Sequence, residues 1–129
     1  MLAHLKQKII EALDSVQSVT LATTGASGLQ VSNCPCYAKG LQFYLVIPAT
    51  SEHLVNLEDT LEPEVVITTP GWQLRGRAII PANKPGLVEA GITGFSNSPS
   101  IVTVKILPVR FELLRTESYG VGVVETIDL

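Results

Sequence analysis

Charge is scarce in this sequence. Only 16% of its 129 residues are Asp, Glu, Lys or Arg, against about a quarter in ordinary globular chains. Nine basic residues stand against twelve acidic ones, for a net charge of −3, and no run of Lys or Arg occurs. A protein that grips duplex nucleic acid carries a basic stripe, so no nucleic-acid partner is expected. No apolar run reaches the ~18 residues of a spanning helix, and no membrane partner is expected either. Near the start, Lys6 and Lys8 are followed at once by Glu11 and Asp14, which is not a signal-peptide pattern. With no address in view, a cytoplasmic location is expected.

Cysteine is nearly missing too. Cys34 and Cys36 flank Pro35, too few for a disulfide framework. On a strand their side chains share a face about 6.5–7 Å apart, beyond normal bridging distance. His4 and His53 are the only histidines, so no metal-ligand set is expected. The chain has no Gly-x-Ser-x-Gly elbow, no Walker loop and no His-Glu-x-x-His. Gly25–Gly28 is short and reads as a β-turn.

What is present is apolar: 46% of the chain. A chain of this length buries roughly two-thirds of its extended surface on folding, enough for one core, and residues 1–129 are read as a single domain. Leu2, Leu5, Ile9, Leu13 and Val16 recur at helical spacing, predicting an N-terminal helix over about 2–14. The period then changes to two. Strands are expected at Val19–Ala22, Leu29–Tyr37, Leu41–Ile47, Glu64–Thr69, Trp72–Ile80 and Ile101–Arg115, the last interrupted at Pro108. Ser51 stands as the N-cap of a short helix whose buried stripe is Leu54, Leu57 and Leu61. Leu87, Val88, Ile92 and Phe95 suggest another. Hairpin-length turns favour antiparallel pairing. The fold class is therefore mainly β with short helices, a six-stranded antiparallel split barrel over about 16–115 with a tail over 116–129.

Four features carry candidate chemistry. Thr50-Ser51-Glu52-His53 lies at a strand-to-helix junction, which is either an anion site or a plain cap with a surface histidine. Gln73, Arg75 and Arg77 share a strand face and either hold a phosphate or carboxylate or face solvent. Trp72, the single tryptophan, stacks on a planar ligand or packs in the core. Ser32, Cys34 and Cys36 form a small-residue face that admits a flat ligand or packs closely on a helix.

The order of these segments resembles the pyridoxamine 5′-phosphate oxidase-like, FMN-binding split-barrel family, over roughly residues 9–112. The resemblance is carried by Ser18–Thr24, the Gly25–Gly28 turn, Leu29-Gln-Val-Ser32, Leu41-Gln-Phe-Tyr44, Ser51-Glu-His53 with Asn56-Leu57, Leu74-Arg-Gly-Arg-Ala78, and Val104–Glu112 with its Pro108. It implies a homodimer with FMN at the subunit interface and flavin-based oxidoreductase chemistry. The implied cofactor contacts are Ser32, Asn33, Cys34 and Pro35 towards the ring or ribityl chain, Thr50, Ser51 and His53 at the phosphate, and Trp72 and Gln73 at the ring. No catalytic acid or base is implied. Two departures bear on the cofactor. Glu52 and His53 stand where flavin-binding members often carry Arg and Lys, and the Ser-x-His-x-x-Asn-Leu pattern is similar to haem-utilisation relatives. The alternative is thus a non-catalytic binding module that holds haem or another small ligand, or that has lost the flavin.

Overall fold

The computed structural model describes residues 3–80, 100–117 and 119–129. Helix α1 (Ala3–Asp14) leads into β1 (Ser18–Thr23), β2 (Gln30–Lys39) and β3 (Gln42–Pro48). Helix α2 (Glu52–Glu58) follows, then β4 (Glu64–Thr68), β5 (Trp72–Ile79), β6 (Ile101–Glu117) and β7 (Gly120–Asp128). The short helix suggested around Leu87–Phe95 lies outside the described residues.

The strands run in the order β3-β2-β1-β4-β5-β6-β7, all antiparallel, and β3 also pairs with β6. That last pairing closes six strands into a barrel, and closure removes the exposed edges that an open sheet would leave. Alternation supplies the core. Leu21, Phe43, Leu45, Ile67, Leu74, Ile106 and Phe111 all point inward and are fully buried. Ile9 and Leu13 bring α1 onto this core, and Leu54 and Leu57 bring α2.

Two details depart from the sequence reading. The strand expected to break at Pro108 runs on to Glu117. Its register against β5 shifts between Arg75 and Gly76, so that Gly76 faces Pro108 and Arg75 faces Arg110. A bulge of this kind absorbs a residue that cannot donate to the ladder. Gly76 belongs to the same device, since a Cβ there would stand 2.7 Å from the Leu107 carbonyl oxygen. Second, α2 stops at Glu58, and the chain turns through Glu62 at φ 49° ahead of Pro63. Leu61, expected in the buried stripe, is 96% exposed. The glycine-rich tail, which the sequence offers as one more strand, is that strand: β7 pairs with β6 from Gly120 to Asp128, and the Lys8–Glu125 ion pair at 3.1 Å ties it to α1.

Candidate functional site

The β1–β2 hairpin is pinned to α2 by a set of buried polar side chains. Asn56 is 1% exposed. Its Oδ1 accepts from the Ser27 backbone N–H at 2.9 Å, and its Nδ2 donates to the Gly28 carbonyl at 2.8 Å and to Thr23 Oγ1 at 3.1 Å. The turn lies close enough that a Cβ on Gly25 would stand 2.9 Å from Asn56 Oδ1. One helical turn earlier, His53 is 4% exposed. Its Nδ1 is 2.7 Å from Thr23 Oγ1 and its Nε2 is 2.7 Å from Ser32 Oγ. Burial pushes the His53 pKa below its ordinary value because charging a desolvated ring is unfavourable. Ser32 is exposed, so this chain of hydrogen bonds runs from the interior to the surface.

The start of α2 is capped from within the chain. Ser51 Oγ accepts from the His53 backbone N–H at 3.1 Å, as an N-cap does. The Glu52 carboxylate accepts from Ser27 Oγ, which ties it back to the β1–β2 turn. Thr50 is exposed beside them.

A second polar array crosses the outer face of the sheet. Strand register aligns Asn33, Thr20, Thr68, Gln73 and Glu112 in one row over five neighbouring strands. Thr20 Oγ1 donates to Asn33 Oδ1 at 2.8 Å. The adjacent row holds Val31, Ala22, Val66, Arg75 and Arg110. Arg75 and Arg110 face each other directly, a repulsive arrangement for like charges. Asp128 relieves one side of it, accepting from Arg110 Nε at 2.8 Å. Arg75 makes no ion pair among the described residues. Beside Gln73 opens a groove of about 450 Å³, lined by Thr68, Thr69, Pro70, Leu114, Val121 and Val123.

No family model matches the sequence, and no curated protein matches it. Solved structures do match in shape. General stress protein 26 from Bacillus anthracis aligns with 98% of this chain and 99% of its own, at 16% identity and TM-score 0.66. A Clostridium acetobutylicum protein related to general stress protein 26, described as of the pyridoxinephosphate oxidase family, covers 100% of this chain and 97% of its own (13% identity, TM-score 0.67). HutZ, the haem storage protein from Vibrio cholerae, covers 92% and 94% (19% identity, TM-score 0.59). The fold is the pyridoxamine 5′-phosphate oxidase-like split barrel.

Within this split barrel the sequence candidates fall into three groups. Ser32 and His53 come together, 2.7 Å apart, and Ser51 caps the helix that carries His53. His53 is neither a surface histidine nor a free cation, because both ring nitrogens are already engaged. Asn33 and Gln73 share one row of the outer face, with Thr20 and Thr68 between them, and half-buried Pro35 lies further along β2. Cys34 and Trp72 belong to neither place. Cys34 and Cys36 sit in the barrel core, so the small-residue face beyond Ser32 packs closely and admits no flat ligand from this side. Trp72 is 4% exposed, 5.5 Å from Phe111 and 6.2 Å from Phe43 between ring centroids. Its size, with apolar neighbours on both sides, puts it in the core and away from an open ring face. Thr23 and Asn56 were missing as site candidates. The signal for Asn56 is its i, i+3 spacing from His53, which sets both on one helix face. Thr23 shares the inward parity of Val19 and Leu21. No helix among the described residues is long and apolar enough to cross a membrane.

Proposed function

We propose that this split barrel holds FMN against its outer sheet face, between two copies of the chain, as a flavin-dependent oxidoreductase. The observation that carries the reading is the placement of Gln73 and Arg75. They stand two residues apart on one strand face, Gln73 bordering an open groove and Arg75 next to it with no ion pair among the described residues. A guanidinium suits a phosphate monoester, which it can engage with two parallel N–H donors. An amide both donates and accepts, as the edge of a flavin ring requires. The expected phosphate contact thus moves away from the start of α2, where Ser51 and His53 are committed and Glu52 is acidic, onto β5. Asn33, Thr20 and Thr68 continue the polar row beside it.

The second copy is supported by apolar side chains left open on this face. Val121 and Val123, neighbours on β7 at the rim of the groove, are more than half exposed, and adjacent apolar exposure of this kind marks an interface. FMN, when bound, supplies hydride or single-electron transfer. The protein supplies orientation, charge balance and exclusion of water.

The test is titration of dialysed protein with FMN, followed by quenching of flavin fluorescence. Arg75→Ala is expected to weaken binding about tenfold, the loss of one charge-assisted hydrogen bond, and to flatten its salt dependence. Equal affinity in wild type and Arg75→Ala overturns the phosphate assignment.

A second reading, a non-catalytic module holding haem or another ligand without a phosphate, is favoured by one observation. The first turn of α2 carries Glu52 and no cation. Titration with haemin separates the two: a Soret band with one haem per chain, and no uptake of FMN, selects this second reading.

A further inference from the structure

The Asn56–Thr23–His53–Ser32 chain has a direction, and its far end is on the surface. Asn56 is anchored on two backbone groups. A backbone N–H meets Oδ1 and a backbone carbonyl meets Nδ2, so the amide has one orientation. Nδ2 therefore donates to Thr23 Oγ1. Thr23 is 3% exposed, and its hydroxyl hydrogen has one acceptor in reach among the described residues, His53 Nδ1 at 2.7 Å. A neutral imidazole that accepts at Nδ1 carries its proton on Nε2. That proton points at Ser32 Oγ, 2.7 Å away. Ser32 accepts it and keeps its own hydrogen free. Any other assignment leaves the buried Thr23 hydroxyl with two donors aimed at it and no acceptor, at a cost of about 1–3 kcal/mol.

We infer that this chain is a one-way relay that fixes the His53 proton on Nε2 and leaves the Ser32 hydroxyl hydrogen free to donate outward at the β1–β2 end of the barrel. The relay also removes a rival role. His53 Nε2 carries a proton where a general base needs a lone pair, so Ser32 and His53 are not a nucleophile–base pair despite their contact. Burial of His53 works in the same direction, since the relay needs the neutral ring.

The experiment uses the whole protein labelled with ¹⁵N-histidine. Only His4 and His53 contribute signals. Long-range ¹H–¹⁵N correlation at neutral pH is expected to show His53 protonated on Nε2 and bare on Nδ1. A proton on Nδ1, or a charged ring, overturns the relay. Asn56→Asp puts an acceptor where the amide donates, and if it folds it is expected to reverse the relay and move the proton to Nδ1. Ser32→Ala removes the group that accepts from Nε2 and leaves Thr23 and Asn56 in place, so the proton is expected to stay on Nε2; its transfer to Nδ1 in that variant also overturns the relay.

Discussion

His53 bridges Thr23 and Ser32, with 2.7 Å on each side of its ring. One imidazole on α2 thereby fastens the end of β1 and the beginning of β2. Because the ring is buried and neutral, the bridge depends on pH. The folded-state pKa lies below the unfolded value near 6.5, so the unfolded chain takes up a proton first as pH falls. The stability contribution is complete above about pH 6.5 and is lost as pH drops towards the folded pKa. Denaturant unfolding from pH 8 to pH 5 should show this one-proton slope in the wild type. The slope should be missing in His53→Gln. Identical pH profiles for the two proteins would contradict the buried, neutral bridge.

Asn56 holds the same hairpin through three hydrogen bonds, two of them to backbone. Asn56→Ala leaves the half-buried Ser27 N–H, the Gly28 carbonyl and the buried Thr23 hydroxyl short of a partner each. The expected loss is about 3 kcal/mol in urea unfolding. Ser51→Ala, which removes only the cap of α2, should cost about 1 kcal/mol. A loss for Asn56→Ala no larger than for Ser51→Ala would remove the pin from the account.

Close backbone approach makes Gly76 and Gly25 intolerant of a side chain. A Cβ on Gly76 meets the Leu107 carbonyl oxygen at 2.7 Å, and one on Gly25 meets the Asn56 Cα at 3.0 Å. Alanine at either position should cost about 2 kcal/mol, through a shift of the backbone. Gly71→Ala is the control: nothing lies within 4 Å of its Cβ position, and its stability should stay within about 0.5 kcal/mol of wild type.

The two thiols should be inert. Burial raises Cys34 to about 11 and, together with the neighbouring Cys34 charge, Cys36 to about 12. The thiolate is the reactive form. At pH 8, labelling of the native protein by a disulfide reagent should therefore run at least about a hundredfold slower than labelling of the unfolded chain. Fast native labelling would contradict the burial of both thiols.

Most of the barrel is legible in the sequence because alternation is a strong signal. Trp72, Leu74, Gly76, Ala78 and Ile80 read as one face of β5; the first four are that face, while Ile80 lies past the strand's end and is exposed. Side-chain chemistry is less legible. His53 and Asn56 look like solvated residues of a short helix, since a polar residue on a buried face carries no periodic mark of its partner. Leu61 continues the spacing of Leu54 and Leu57, yet α2 ends before it. Pro108 reads as a break because the compensating bulge depends on Gly76, which lies on another strand. The facing of Arg75 and Arg110 is likewise a matter of register between distant segments. No local pattern reveals it.

The central claim, that this barrel binds a flavin, is tested most directly by the absorption spectrum of the freshly purified protein, followed by titration with FMN. The account predicts flavin bands, or uptake of one FMN per chain with quenched fluorescence. A colourless protein that leaves FMN fluorescence unchanged would contradict it, and so would a Soret band in place of the flavin bands.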